Sequence, residues 1–108
     1  MALQVAELSL ELIDALRPLV PRIKSRDRSL ADQITRSASS IALNCGEAEL
    51  SDPGNRRARF FTAAGSAGET LIAVRVAIAW RYLAPSDGEA AIALLRRIIA
   101  ILWKLTRG

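Results

Sequence analysis

Between Asp87 and Thr106 the chain is apolar around most of a helical circumference, a pattern that neither a strand nor a loop accommodates. Projected as a helix, Glu89, Ala93, Arg96, Arg97, Ala100, Lys104 and Arg107 fall in one narrow polar sector. Most of the rest, including Ile92, Leu94, Leu95, Ile98, Ile99, Leu102 and Trp103, is apolar. A helix in a small monomeric bundle needs an apolar stripe of roughly 100°, and this one is far wider. The excess predicts two buried faces, one against its own chain and one against another subunit. Ile92, Leu95, Ile99, Leu102 and Trp103 are the candidate interface residues.

The remaining chain supplies partners of the same kind. Residues 2–17 carry Val5, Leu8, Leu12, Ile13 and Leu16 on one broad side, with Gln4, Glu7, Glu11 and Asp14 on the other. Pro18 and Pro21 end or kink that helix, and the connector after it holds Arg22, Lys24, Arg26 and Arg28. Ser29, with Asp32 three residues on, is the expected cap of a second helix over residues 30–49, whose apolar stripe is Leu30, Ile34, Ala38, Ile41 and Cys45. Pro53 and Gly54 mark a turn within residues 51–57, and a third helix is expected over 55–83. Ser86 and Glu89 have the spacing of a reciprocal cap for the last helix, over 87–106. With no strand-period run or repeat to compete, the sequence predicts one all-α domain over residues 1–108, an antiparallel up-down-up-down four-helix bundle.

Residue types narrow the chemistry. Histidine is absent and Cys45 is the single cysteine, which removes the commonest general base, the commonest metal ligand and any intramolecular disulfide. No catalytic residue, metal, cofactor or small-molecule substrate is expected. Glu7, Glu11 and Asp14 interrupt the apolar N-terminal stretch and argue against a signal-peptide core or a membrane span, so the expected compartment is a bacterial cytoplasm. The net charge of +4 rests on thirteen arginines and two lysines, a choice suited to bidentate contact with phosphate or carboxylate.

Two glycines interrupt the third helix, each costing roughly 1 kcal/mol against alanine. Gly65 and Gly68 lie with Ala64 and Ala67 within two turns, which predicts close approach of a neighbouring helix as compensation. Ser66 and Glu69, one turn apart, are positioned to meet Ser37, Ser40 or Asn44 of the second helix in a buried polar set, with Arg36 as the partner of Glu69. A catalytic Ser66–Glu69 pair lacks a base placed to activate the hydroxyl.

Leu30, Gln33, Ile34, Arg36, Ala38, Ser40, Ile41, Asn44 and Glu47, followed by Ala63, Gly65, Ser66, Glu69 and Tyr82, make a pattern that resembles the family of 23S rRNA intervening-sequence proteins, relatives of the accessory variability protein of diversity-generating retroelements. The resemblance covers the second and third helices. It implies a four-helix bundle that assembles into a ring, commonly a homopentamer, with a basic surface toward nucleic acid and no enzymatic activity. Ala48 stands where that family has glycine, so the second helix is expected to run on toward Asp52. Arg81 replaces the glycine before Tyr82 and adds a cation that suits the end of the third helix.

The candidate nucleic-acid-binding residues are Arg22, Lys24, Arg26 and Arg28 in the connector and Arg56, Arg57 and Arg59 at the start of the third helix. The latter three oppose that helix's dipole and are expected to cost a little stability. No base-reading motif is present and aromatic residues are few, so contact with RNA or DNA would go through phosphate. The alternative is an oligomeric protein-interaction scaffold using Glu7, Glu11 and Asp14 of the first helix.

Overall fold

The computed structural model describes residues 2–107, with side chains placed from Gln4 onward. Five helices follow one another, with no strand among the described residues: α1 (Ala2–Leu16), α2 (Val20–Lys24), α3 (Arg28–Ala48), α4 (Pro53–Ala79) and α5 (Pro85–Arg107). The long helices contact in a closed cycle, α1 to α3, α3 to α4, α4 to α5 and α5 back to α1, while α2 packs on α3. The molecule measures 42 × 21 × 19 Å.

The connector expected after Pro18 contains a helix of its own. Pro21 sits in the first turn of α2, where its missing N–H has no partner to lose. Leu19 and Ile23, one turn apart, are both buried and pin α2 to the core. The caps also differ from expectation. Asp27, extended at φ −155° and ψ 91°, accepts the Leu30 N–H at 3.0 Å, so α3 begins at Arg28 and Ser29 lies inside it. Pro53 and Gly54 are the first turn of α4 rather than a break before it, with Asp52 accepting the Asn55 N–H at 3.0 Å. At α5 the cap is Asp87, whose Oδ2 accepts the Ala84 N–H at 2.8 Å, not the Ser86–Glu89 pair.

Helix ends are set by local backbone conformation. α3 stops at Ala48, short of Asp52, as Leu50 and Ser51 donate to the carbonyls of Glu47 and Ala48 in a tightened last turn. α4 stops at Ala79, four residues before the expected end, because Arg81 adopts φ 66°. Tyr82 N–H then bonds the Ala77 carbonyl at 2.9 Å and Arg81 N–H the Ile78 carbonyl at 3.0 Å, the paired bonds of a Schellman stop. Arg81 thus occupies the left-handed position itself.

α4 packs against α3 on one side and α5 on the other. By length and composition it would suffice to cross a membrane, yet Phe60, Ala63, Ala67, Thr70, Val74 and Ala77 form a seam of alternating three- and four-residue steps buried within the chain. α5 buries Ala91, Leu95, Ile98 and Leu102 between α4 and α1. Leu95 and Leu102 are 0% exposed in the single subunit, so they are core, not interface. Ile92 and Ile99 are half-buried and packed against that core. Flanked by two helices, α5 satisfies most of its wide apolar circumference within its own chain.

Candidate nucleic-acid interface

The cations at the start of α4 are engaged by the protein itself. Arg56 Nε donates to the Ala48 carbonyl at 3.2 Å, and Arg57 donates through Nε and Nη2 to the Thr106 carbonyl at 3.2 and 2.8 Å. Arg59 pairs with Glu47 at 2.7 Å. Ala48 and Thr106 lie at the C-terminal ends of α3 and α5, whose last carbonyls lack helical partners and carry partial negative charge. The expected dipole penalty on α4 is therefore offset by capping its two neighbours.

The connector cations divide. Arg22 reaches Asp87 at 3.0 Å, and this bond, followed by that from the Ala84 N–H, holds the Asp87 carboxyl below its usual range. Arg26 lies over the Tyr82 ring, 5.6 Å from its centroid. Lys24 and Arg28 are exposed and form no ion pair among the described residues. Arg28 lines a shallow depression with Ser29, Asp32, Thr35 and Arg36.

The polar set between α3 and α4 forms with a different membership. Ser37 Oγ and Thr70 Oγ1 share a hydrogen bond of 2.7 Å, and Ser66 Oγ donates to Ser40 Oγ at 2.8 Å. Asn44 Nδ2 donates to the Ser40 carbonyl and hydroxyl at 2.9 and 3.1 Å. Thr70 also donates to the Ser66 carbonyl at 2.7 Å, so every member is satisfied locally. Arg36 and Glu69 are exposed, form no ion pair among the described residues and stand outside the set. Thr70, one turn beyond Ser66 on the same face, is the member the sequence reading missed; that spacing is the signal for it.

The glycines are not packing sites within the chain. A Cβ at Gly65 or Gly68 would meet nothing within 4 Å, since both lie on the outer side of α4, opposite the buried seam. Close approach occurs instead at Gly88, where a Cβ would come within 2.9 Å of Ile78 Cδ1 and 3.4 Å of Val74 Cγ1. Gly65 and Gly68 continue a row with Phe61 and Ile72, which are 48% and 56% exposed. Trp103 is 57% exposed, with the Arg107 guanidinium 3.8 Å from its ring centroid. Cys45 is fully buried, and desolvation pushes its thiol up to about 11 despite a hydrogen bond with Ser9.

A second group of cations was legible only as a polar sector: Arg96, Arg97, Lys104 and Arg107 are all exposed on α5 and form no ion pair among the described residues.

A small all-helical protein with hydroxyl-rich helix contacts, a core free of ionised side chains and a cationic exterior is the class that these features define. The sequence profile of the 23S rRNA-intervening sequence proteins matches residues 1–104, and the chain belongs to that family. The fold is shared with a crystal structure of a protein of unknown function from the S23 ribosomal protein family of Bacteroides thetaiotaomicron. The two superpose with a TM-score of 0.88 at 22% sequence identity, over 96% of this chain and 99% of that one. No curated protein matches the chain significantly.

Proposed function

We propose that this protein is a non-enzymatic, ring-forming, nucleic-acid-binding protein of the cytoplasm. Its four long helices run up-down-up-down, as the short connections between them favour. It contacts RNA or DNA through phosphate rather than base edges. One observation carries this reading: of fifteen basic side chains, only Arg22 and Arg59 form ion pairs among the described residues. The chain carries eleven carboxylates and a net charge of +4, most of its cations stand outside ion pairs among the described residues, and an assembly would multiply that field once per subunit.

Assembly into a homopentamer fits the exposed row on α4 better than the buried residues of α5. Phe61 and Ile72 offer apolar surface, and Gly65 and Gly68 between them admit close approach of another subunit. Trp103 remains available for contact on α5.

The test is retention on immobilised RNA and DNA over a range of salt. The expected result is affinity that falls steeply with salt and varies little with base sequence. Tight binding at high salt with strong sequence preference would contradict it. Arg56 and Arg57 are unsuitable as probes, because replacing them loosens the ends of α3 and α5.

A further inference from the structure

We infer that the outer face of α5 is the surface that tracks the phosphate backbone, with Arg96, Arg97 and Lys104 as its contacts and Arg107 as its C-terminal member. This rests on the nucleic-acid reading above and gives it a location that the sequence assigned elsewhere.

Arg96, Arg97, Lys104 and Arg107 share one face of a single rigid helix, all exposed. Arg96 to Arg107 spans about 16 Å at 1.5 Å per residue, long enough to meet several phosphates of a duplex, each strand of which carries one charge per roughly 3.4 Å of duplex axis. Ala100, also exposed, is the small residue between the arginine pair and Lys104, and the exposed Trp103 flanks the C-terminal end of the face. The single carboxylate of the row, Glu89, lies near its N-terminal end, about 10 Å along the axis from Arg96. Neighbouring α1 exposes Glu7, Glu11 and Asp14, and among the described residues none pairs with the row.

Compensation of the helix dipole accounts for Lys104 and Arg107, which stand in the last turn of α5. It does not account for Arg96 and Arg97, which lie more than two turns from that end, beyond the reach of the effect. Arg107 is held over the Trp103 ring, which fixes its guanidinium near the surface. Arg22, Arg56, Arg57 and Arg59 are spent on carbonyls or carboxylates and Arg26 lies over the Tyr82 ring; Lys24 and Arg28, unpaired among the described residues, stand apart at the end of α2 and the start of α3, whereas the α5 cations share one long helix. Three guanidinium forks and one ammonium on a single helix face, as an adjacent arginine pair and a second pair toward the C-terminus, suit several phosphates of one phosphodiester chain.

The test compares two variants that remove equal charge. One carries Arg96→Gln, Arg97→Gln and Lys104→Gln; the other carries Lys24→Gln, Arg26→Gln and Arg28→Gln. Each is checked for unchanged helicity and melting, then titrated at several salt concentrations with a short RNA duplex, the DNA duplex of the same sequence, and polyglutamate. The α5 variant is expected to lose about tenfold or more in affinity and to flatten the salt dependence by about two to three ions, against a small loss for the connector variant. The RNA and DNA arms identify which duplex supplies the phosphates, and binding to either supports the inference. Equal losses in both variants, no loss in the α5 variant, or equally tight binding of polyglutamate would overturn it. Absence of salt-dependent binding by the unmodified protein to either duplex would instead overturn the nucleic-acid reading itself.

Discussion

Cys45 shows how one buried side chain ties the fold to solution conditions. Its thiol titrates near 9 when exposed and is pushed up to about 11 in the fold, first by desolvation and slightly by the Glu49 charge, against the lowering effect of Ser9. The folded state therefore retains a proton that the unfolded chain releases. The stability associated with this group is fully present below pH 9 and is lost as pH rises toward 11. That loss is of the order of 1–3 kcal/mol, because each tenfold difference in proton affinity between the two states is worth about 1.4 kcal/mol. Denaturant unfolding at pH 8 and pH 11 should show the decline, and Cys45→Ala should remove that part of it while lowering stability at pH 8. An unchanged slope in the variant would mean that other groups carry the alkaline transition.

At the scale of the helix, Arg81 is out of place by residue type. A left-handed conformation costs an L-residue roughly 1–2 kcal/mol, and glycine avoids most of that. Arg81→Gly should raise the unfolding free energy by about 1 kcal/mol with an unchanged denaturant slope, whereas Arg81→Ala should not. The position of this stop shows where sequence reading succeeds and where it fails. The long helical segments were legible because apolar residues such as Leu30, Ile34, Ala38, Ile41 and Cys45 recur at helical steps. Their ends were not. Asp27 caps α3 in place of Ser29 because its backbone is extended, and Arg81 ends α4 against its own preference; neither is encoded in periodicity. α2 escaped notice because five residues containing a proline carry too little pattern, and Ile23 anchors it only through tertiary contact.

In the molecule as a whole, the fate of each charge depended on which helix ends meet. Arg56 and Arg57 looked free because nothing near them in sequence accepts a bond; their acceptors, Ala48 and Thr106, are supplied by folding. The buried polar contact between α3 and α4 was legible through Ser37, Ser40, Asn44 and Ser66, yet the exposure of Arg36 and Glu69 was not, since both flank the same helical faces. The proposed assembly belongs to this scale too. If the exposed row on α4 forms its contact, Phe61→Lys with Ile72→Lys should leave the subunit folded, since both side chains are about half exposed, and should give single subunits by light scattering. Persistence of the wild-type mass would place the contact elsewhere.

The beginning of α4 fastens the final carbonyls of two other helices through adjacent arginines. Opening of that turn would release both ends together, so amide protons near Ala48 and Thr106 should exchange with solvent as one cooperative unit, slowed or accelerated in concert by any change at Arg56 or Arg57.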